Sequence, residues 1–221
     1  MFNCFKSKDR GPSKPEVKIP QTLDTLVNPI KIALIPGHTP GTSADTYNKD
    51  MTEYQFNKAV LKIVMKDYKG KHELNFFDRD PTLSYKRAMA KHAKSCAKEG
   101  VQLAIEFHVN AARVPEARGY ESLIAYGDDK SAKLAFDFGD MFRIEYKHGG
   151  RGLYKGLRGV RSRKRGDRGY EFMNRMEKEG ISSFIWEPFF GDYETEESAK
   201  FLNQKGIIDY ANWIIRTLDT L

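Results

Sequence analysis

The stretch Val101-Gln102-Leu103-Ala104-Ile105-Glu106-Phe107-His108-Val109-Asn110 decides how the rest of the chain is read. Val101, Leu103, Ile105, Phe107 and Val109 fall on one face of an extended segment, and Ala104, Glu106, His108 and Asn110 on the other, the period-two pattern of a β-strand. One face is so apolar that the strand belongs at the centre of a sheet, where a polar strip on the opposite face lines a cleft. Outward from it, strands and helices alternate. Residues 30–35 form a β-branched run ended by Pro36-Gly37, a buried strand entering a turn. Residues 53–68 carry Phe56, Val60, Ile63 and Val64 at helical spacing. A strand is expected at 74–77, an amphipathic helix at 84–98 closed by Gly100, a strand at 120–126 and a helix at 131–145. A Gly- and Arg-rich loop at 151–168, a short helix at 171–178, a strand at 182–189 and one closing helix at 198–218 complete the chain. This alternation predicts an α/β fold: a single twisted, mixed, mostly parallel central sheet with helices on both faces.

The chain has 221 residues, enough for one sizeable core. Residues 1–28 alternate Lys6, Lys8, Arg10, Lys14 and Lys18 with Gly11, Pro12, Pro15 and Pro20. They read as a basic tail or linker, which leaves 29–221 as the folded domain. An apolar fraction of 40% and an aromatic fraction of 12% carry no disorder signature. No apolar run approaches the roughly 20 residues of a spanning helix. The N-terminus has no apolar segment of the secretory kind, so the protein is expected to be made in the cytoplasm and to act elsewhere only after release. Cys4 and Cys96 lie far apart without metal-type spacing and are expected as reduced thiols. The formal net charge of +7 favours anionic partners.

Strand ends are where active sites gather in such sheets, and His38, His108 and Glu187 fall near them, with Glu53 as a further candidate on a helix. His38 follows Gly37 just past the first strand, and Gly37 is expected to let the backbone turn so that the imidazole projects over the sheet edge. Glu53 opens a helix. Alone it reads as a cap, either at the third position after Asp50 or beside Thr52 in the box Thr52-Glu53-Tyr54-Gln55. His108 lies near the end of the central strand. Glu187, inside Phe184-Ile185-Trp186-Glu187-Pro188-Phe189-Phe190, is a carboxylate where charge is costly without a task; its pKa should be raised, as a general acid or base near neutrality requires. Two imidazoles and a carboxylate from separate elements are the ligand set of a catalytic zinc site that leaves a position to water. His72, His92 and His148 stand among charges and read as surface residues.

From Lys31 onward the chain resembles the zinc-dependent N-acetylmuramoyl-L-alanine amidases of autolysins and phage endolysins. The resemblance is carried by Ile32-Ala33-Leu34-Ile35-Pro36-Gly37-His38, Thr52-Glu53-Tyr54-Gln55-Phe56-Asn57, Ile105-Glu106-Phe107-His108-Val109-Asn110-Ala111 and Ile185-Trp186-Glu187-Pro188-Phe189-Phe190-Gly191-Asp192, in that order. Gly119-Tyr120-Glu121 and the stretch around Arg158-Gly159-Val160 also fall in sequence. The resemblance implies one zinc ion held by His38, Glu53 and His108, with Glu187 passing a proton from water to the leaving amine. It implies peptidoglycan as substrate; the lack of a secretory segment, with the compact catalytic domain, favours a phage or prophage endolysin over a secreted autolysin. Glu106 departs from the serine that many relatives carry; it either tunes the metal or faces solvent. The cations of 151–168 are expected to meet anionic envelope components. Two alternatives are weighed against this reading. A zinc exopeptidase or carboxypeptidase would have a similar ligand set. A nucleic-acid-binding protein would use the basic segments, but the chain has no nucleic-acid motif or aromatic platform, so nucleic acid is not an expected partner.

Overall fold

The computed structural model describes residues 28–43 and 46–221. Along the chain run β1 (Lys31–Pro36), α1 (Glu53–Asp67), β2 (Glu73–Phe76), α2 (Tyr85–Lys98), β3 (Leu103–Phe107), β4 (Glu121–Ala125), α3 (Asp129–Tyr146), β5 (Leu153–Tyr154), β6 (Leu157–Arg158), β7 (Val160–Arg163), α4 (Tyr170–Lys178), β8 (Ser182–Glu187), α5 (Glu196–Phe201) and α6 (Gln204–Leu218). Six strands form one sheet in the order β2-β1-β3-β8-β4-β7. β2, β1, β3 and β8 are mutually parallel, β4 runs antiparallel to β8, and β7 is parallel to β4. The sheet is therefore mixed and mostly parallel, as expected.

β1, β3, β4 and β8 are buried almost throughout, because both faces are covered. On one face Leu34, Ile105, Phe107, Phe184 and Trp186 join Phe56 of α1, Phe138 and Phe142 of α3, and Tyr210 and Trp213 of α6. On the other, Ala33, Ala104 and Ile185 meet Met89 and Ala93 of α2 and Phe172, Met173 and Met176 of α4. The first layer is rich in aromatic rings: Trp186 lies 5.1 Å from Phe138 and 5.2 Å from Phe142, both near-perpendicular, and Tyr210 stacks on Trp213 at 5.7 Å. The alternation of β3 is thus kept: Ala104 and Glu106 of its polar strip are buried on the side of this smaller core, and His108, just past the strand, reaches a cavity.

Several expectations need correction. The closing helix is two helices, broken at Leu202–Asn203, where the Asn203 side chain accepts from the Gly206 N–H at 2.9 Å and starts α6. Asn is a strong cap, and its signal was hidden inside a continuous apolar period. Residues 151–168 are not all loop: β5 and β6 make a small hairpin and β7 forms an edge of the main sheet. His72 and His92 are buried. His72 Nδ1 accepts from the Ile30 N–H at 3.2 Å, and His92 Nε2 lies 3.0 Å from the Asp78 carbonyl. His148 Nδ1 lies 2.9 Å from Glu197 Oε1. Each contact is long-range in sequence, so charged neighbours along the chain misrepresent the setting. Cys96 is a free, buried thiol; Cys4 and residues 1–27 of the basic tail lie outside the described residues.

Inside the aromatic layer, the Trp186 indole N–H donates to the Tyr210 hydroxyl at 2.7 Å, with both side chains fully buried. Tyr210→Phe keeps the rings and orphans that donor. It should cost ~1–3 kcal/mol of stability, read as a lower urea midpoint at unchanged slope. An unchanged midpoint would show that the indole does not depend on this hydroxyl.

Candidate metal centre and its cavity

The site begins with the pairing of β1 and β3. Their parallel register puts Pro36 opposite Phe107, and one residue further the Gly37 N–H donates to the Phe107 carbonyl at 2.7 Å. His38 and His108 therefore leave the sheet side by side, their rings 4.9 Å apart and nearly perpendicular. The turn itself is made at His38, whose φ is 65°, and not at Gly37. What Gly37 supplies is room: a Cβ there would come within 2.5 Å of His108 Cε1, so any larger residue would displace the ring.

Glu53 completes the cluster. The N-cap of α1 is Thr52, in a reciprocal box with Gln55, so Glu53 has no capping duty and its carboxylate turns inward. Oε1 accepts from the Val109 N–H at 2.8 Å and lies 2.8 Å from His108 Nδ1, while Oε2 lies 3.2 Å from His38 Nε2. One ligand atom from each of His38, Glu53 and His108 lies within 4.8 Å of the others, close enough to share one ion. His38 Nδ1 faces the Thr42 carbonyl at 3.1 Å. A ring nitrogen tied to a carbonyl leaves its partner nitrogen free for a metal, the usual arrangement around a ligating histidine. Two imidazoles and a carboxylate are borderline donors that suit zinc. The residues present fit the group.

The charges answer to one another. Burial opposes ionisation of Glu53, but its contacts with His108 and His38 hold its pKa far below the ordinary range. Burial also disfavours a charged His108, yet Glu106 and Glu53 on its two sides lift its pKa to about 10.

His38, His108 and Glu187 all line one cavity of about 560 Å³, whose remaining walls include Arg79, Leu83, Tyr85, Arg168 and Tyr170. Glu187 is 1% exposed. Burial pushes its pKa up to about 7, with Arg168 and His108 pulling down and Glu121 and Glu53 pushing up. One oxygen pairs with the Arg168 guanidinium; the other, Oε2, is buried without a partner. Glu121 sits opposite Glu187 in the β4–β8 register and is engaged by Asn110 at 2.6 Å and Arg161 at 3.1 Å.

Glu106 does not face solvent. It is fully buried, 2.6 Å from the Arg79 guanidinium. Arg79 was not legible as a site residue: in Asp78-Arg79-Asp80-Pro81 it has the look of a solvated turn, and its partner is 27 positions away. Arg168 stood out only as one cation among many, and Tyr85 and Tyr170 gave no signal.

No protein-family model matches the sequence, and no curated protein matches it. Solved structures do. An N-acetylmuramoyl-L-alanine amidase from Clostridium difficile 630 superposes with a TM-score of 0.66 at 17% identity, over 86% of this chain and 95% of that one. The catalytic domain of the CD27L endolysin, which targets Clostridia difficile, gives 0.61 at 23% identity over 86% and 96%. The amidase Ami1 from Mycobacterium smegmatis gives 0.66 at 15% identity over 87% and 96%. The chain has the N-acetylmuramoyl-L-alanine amidase fold. The match spans most of this chain and nearly the whole of each amidase.

Because His108 is held protonated near neutrality in the metal-free chain, a divalent ion must displace a proton to bind there. Affinity should therefore rise with pH across the neutral range. Calorimetry in two buffers of different ionisation enthalpy should show about one proton released per ion taken up. Uptake with no proton release would contradict this arrangement of charge.

Proposed function

We propose that this protein is a zinc-dependent N-acetylmuramoyl-L-alanine amidase, hydrolysing the amide between the lactyl group of N-acetylmuramic acid and the L-alanine of the peptidoglycan stem peptide. The observation that carries the reading is one cavity holding His38 and His108, grouped with Glu53, beside a buried and partly unpartnered Glu187. The likeness of fold to the amidases supports the choice of substrate.

His38, Glu53 and His108 would hold the zinc, which when bound supplies the positive charge that polarises water and the scissile carbonyl. The proton chemistry falls to Glu187. With a pKa near 7, its carboxylate can take a proton from the attacking water and return it to the departing amine of L-alanine, ending as it began. A C–O bond from the water forms as the C–N bond breaks, leaving a carboxylate on the lactyl side and releasing the stem peptide with a free N-terminal amine on L-alanine. Arg168 orients the Glu187 carboxylate through one oxygen, leaving the other free to exchange the proton. Burial of Glu187 keeps its pKa high enough for both steps.

Of the cations in 151–168, Arg161 is drawn to Glu121, Lys155 to Asp129 and Arg168 to Glu187, and Arg151 lies over the Phe190 ring. Arg158 and Arg165 are exposed. We assign to these two any contact with anionic envelope components. An endolysin, made in the cytoplasm and acting on the wall after release, is the setting we propose. Among the described residues no helix is long and apolar enough to cross a membrane.

Purified peptidoglycan should yield new N-terminal alanine without new reducing sugar ends, and a zinc chelator should stop the reaction. Free amino acids released from simple peptides, with murein untouched, would instead favour an exopeptidase. Glu187→Gln should keep zinc and lose ~10²–10⁴-fold in rate, whereas His108→Ala should lose zinc and activity together. Substantial turnover by the Glu187 variant would remove that residue from the mechanism.

A further inference from the structure

From the cavity wall inward runs a chain of side chains that the proposed hydrolysis does not use. The Tyr85 ring, at the start of α2, lies 5.0 Å under the Arg79 guanidinium. Arg79 Nη2 is 2.6 Å from Glu106 Oε1, with the two side chains 8% and 0% exposed. The other oxygen, Glu106 Oε2, lies 3.6 Å from His108 Nε2 and is buried with no hydrogen-bond partner. That separation exceeds hydrogen-bond length, and among the described residues no closer group engages Glu106 Oε2. The opposite ring nitrogen, Nδ1, faces Glu53 2.8 Å away.

An ion pair this deep gains little for stability over apolar residues of the same volume, since desolvation consumes most of the attraction. Its cost is explained if the carboxylate has a recipient. A ligating histidine gives one nitrogen to the metal and donates its other N–H to an acceptor that fixes ring orientation and tautomer. For His38 that acceptor is the Thr42 carbonyl. For His108, the carboxylate oxygen facing Nε2 is Glu106 Oε2.

We propose that Glu106, anchored by Arg79 and Tyr85, is a positioning residue that holds His108 with Nε2 protonated and Nδ1 presented to the metal, and so sets how tightly the ion is retained. This rests on the reading of His38, Glu53 and His108 as metal ligands. Arg79 has a second consequence for the site: it balances the charge of Glu106, so that the added carboxylate strengthens the ligand without making the cavity more anionic toward substrate.

The test is zinc affinity, measured by competition with a chromophoric chelator, together with the imidazole tautomer of His108 from long-range ¹H–¹⁵N spectra of the zinc-loaded chain. Glu106→Ala should weaken zinc ~10–100-fold, and Glu106→Gln, which retains an acceptor oxygen, should recover most of the loss. Because Glu106→Ala strands a buried guanidinium and can unfold the chain, the paired variant Arg79→Met with Glu106→Met removes both charges at similar volume. It should fold, melt near the parent and still lose zinc ~10–100-fold. A paired variant that binds zinc as tightly as the parent would reduce the ion pair to a structural feature and overturn the proposal, as would a parent spectrum with Nδ1 protonated. Failure of the parent chain to take up zinc at all would overturn the metal reading and this proposal together, an outcome distinct from unchanged affinity in the variants.

Discussion

The parallel pairing of β1 with β3 is the constraint from which the site follows. One backbone hydrogen bond beyond the ladder, from the Gly37 N–H to the Phe107 carbonyl, brings two imidazoles to adjacent positions at one sheet edge. The absence of a Cβ at Gly37 lets the His108 ring lie against the turn. α1 then needs only to begin at Thr52, with its own cap supplied by Gln55, for Glu53 to meet both rings. A one-residue slip of β3 would turn His108 to the opposite face, among the aromatic residues of the larger core.

The two faces of the sheet divide the labour. The aromatic layer of α1, α3 and α6 holds the strands in register, with Trp186, Phe138 and Phe142 packed ring to ring. The thinner layer of α2 and α4 leaves space for the cavity and for the buried pair of Arg79 and Glu106. Trp186 and Glu187 are neighbours in β8, one turned into each layer. The residue that fixes the strand thus stands next to the residue with the perturbed carboxylate, which is one way a rigid scaffold fixes reactive geometry to within a fraction of an ångström.

Much of this was legible in the sequence. Period-two alternation in 101–110, β-branched runs and amphipathic helices gave the α/β class and the element order, since each is a local signal. His38, Glu53, His108 and Glu187 were each weak alone, three of them near strand ends and Glu53 at the start of a helix, and the structure brings the first three together and puts Glu187 on the cavity that His38 and His108 line. The partners that act across the sheet were not legible. Arg79 resembles a surface turn because its counter-ion is distant in sequence, and His72, His92 and His148 resemble surface residues because their neighbours along the chain are charged. The break at Asn203 was missed because the apolar period continues through it, and β7 was missed because it is a short, arginine-rich edge strand set in a glycine-rich stretch, with its pairing to the distant β4.

The account stands on one claim, that His38, Glu53 and His108 converge on a single ion beside Glu187. Diffraction from zinc-soaked crystals, collected on either side of the zinc absorption edge, tests it directly. The prediction is one anomalous peak at about 2.0–2.2 Å from a nitrogen of each histidine and an oxygen of Glu53. A peak elsewhere, such as beside Glu121 and Asn110, or no peak in crystals soaked at neutral pH, would contradict it.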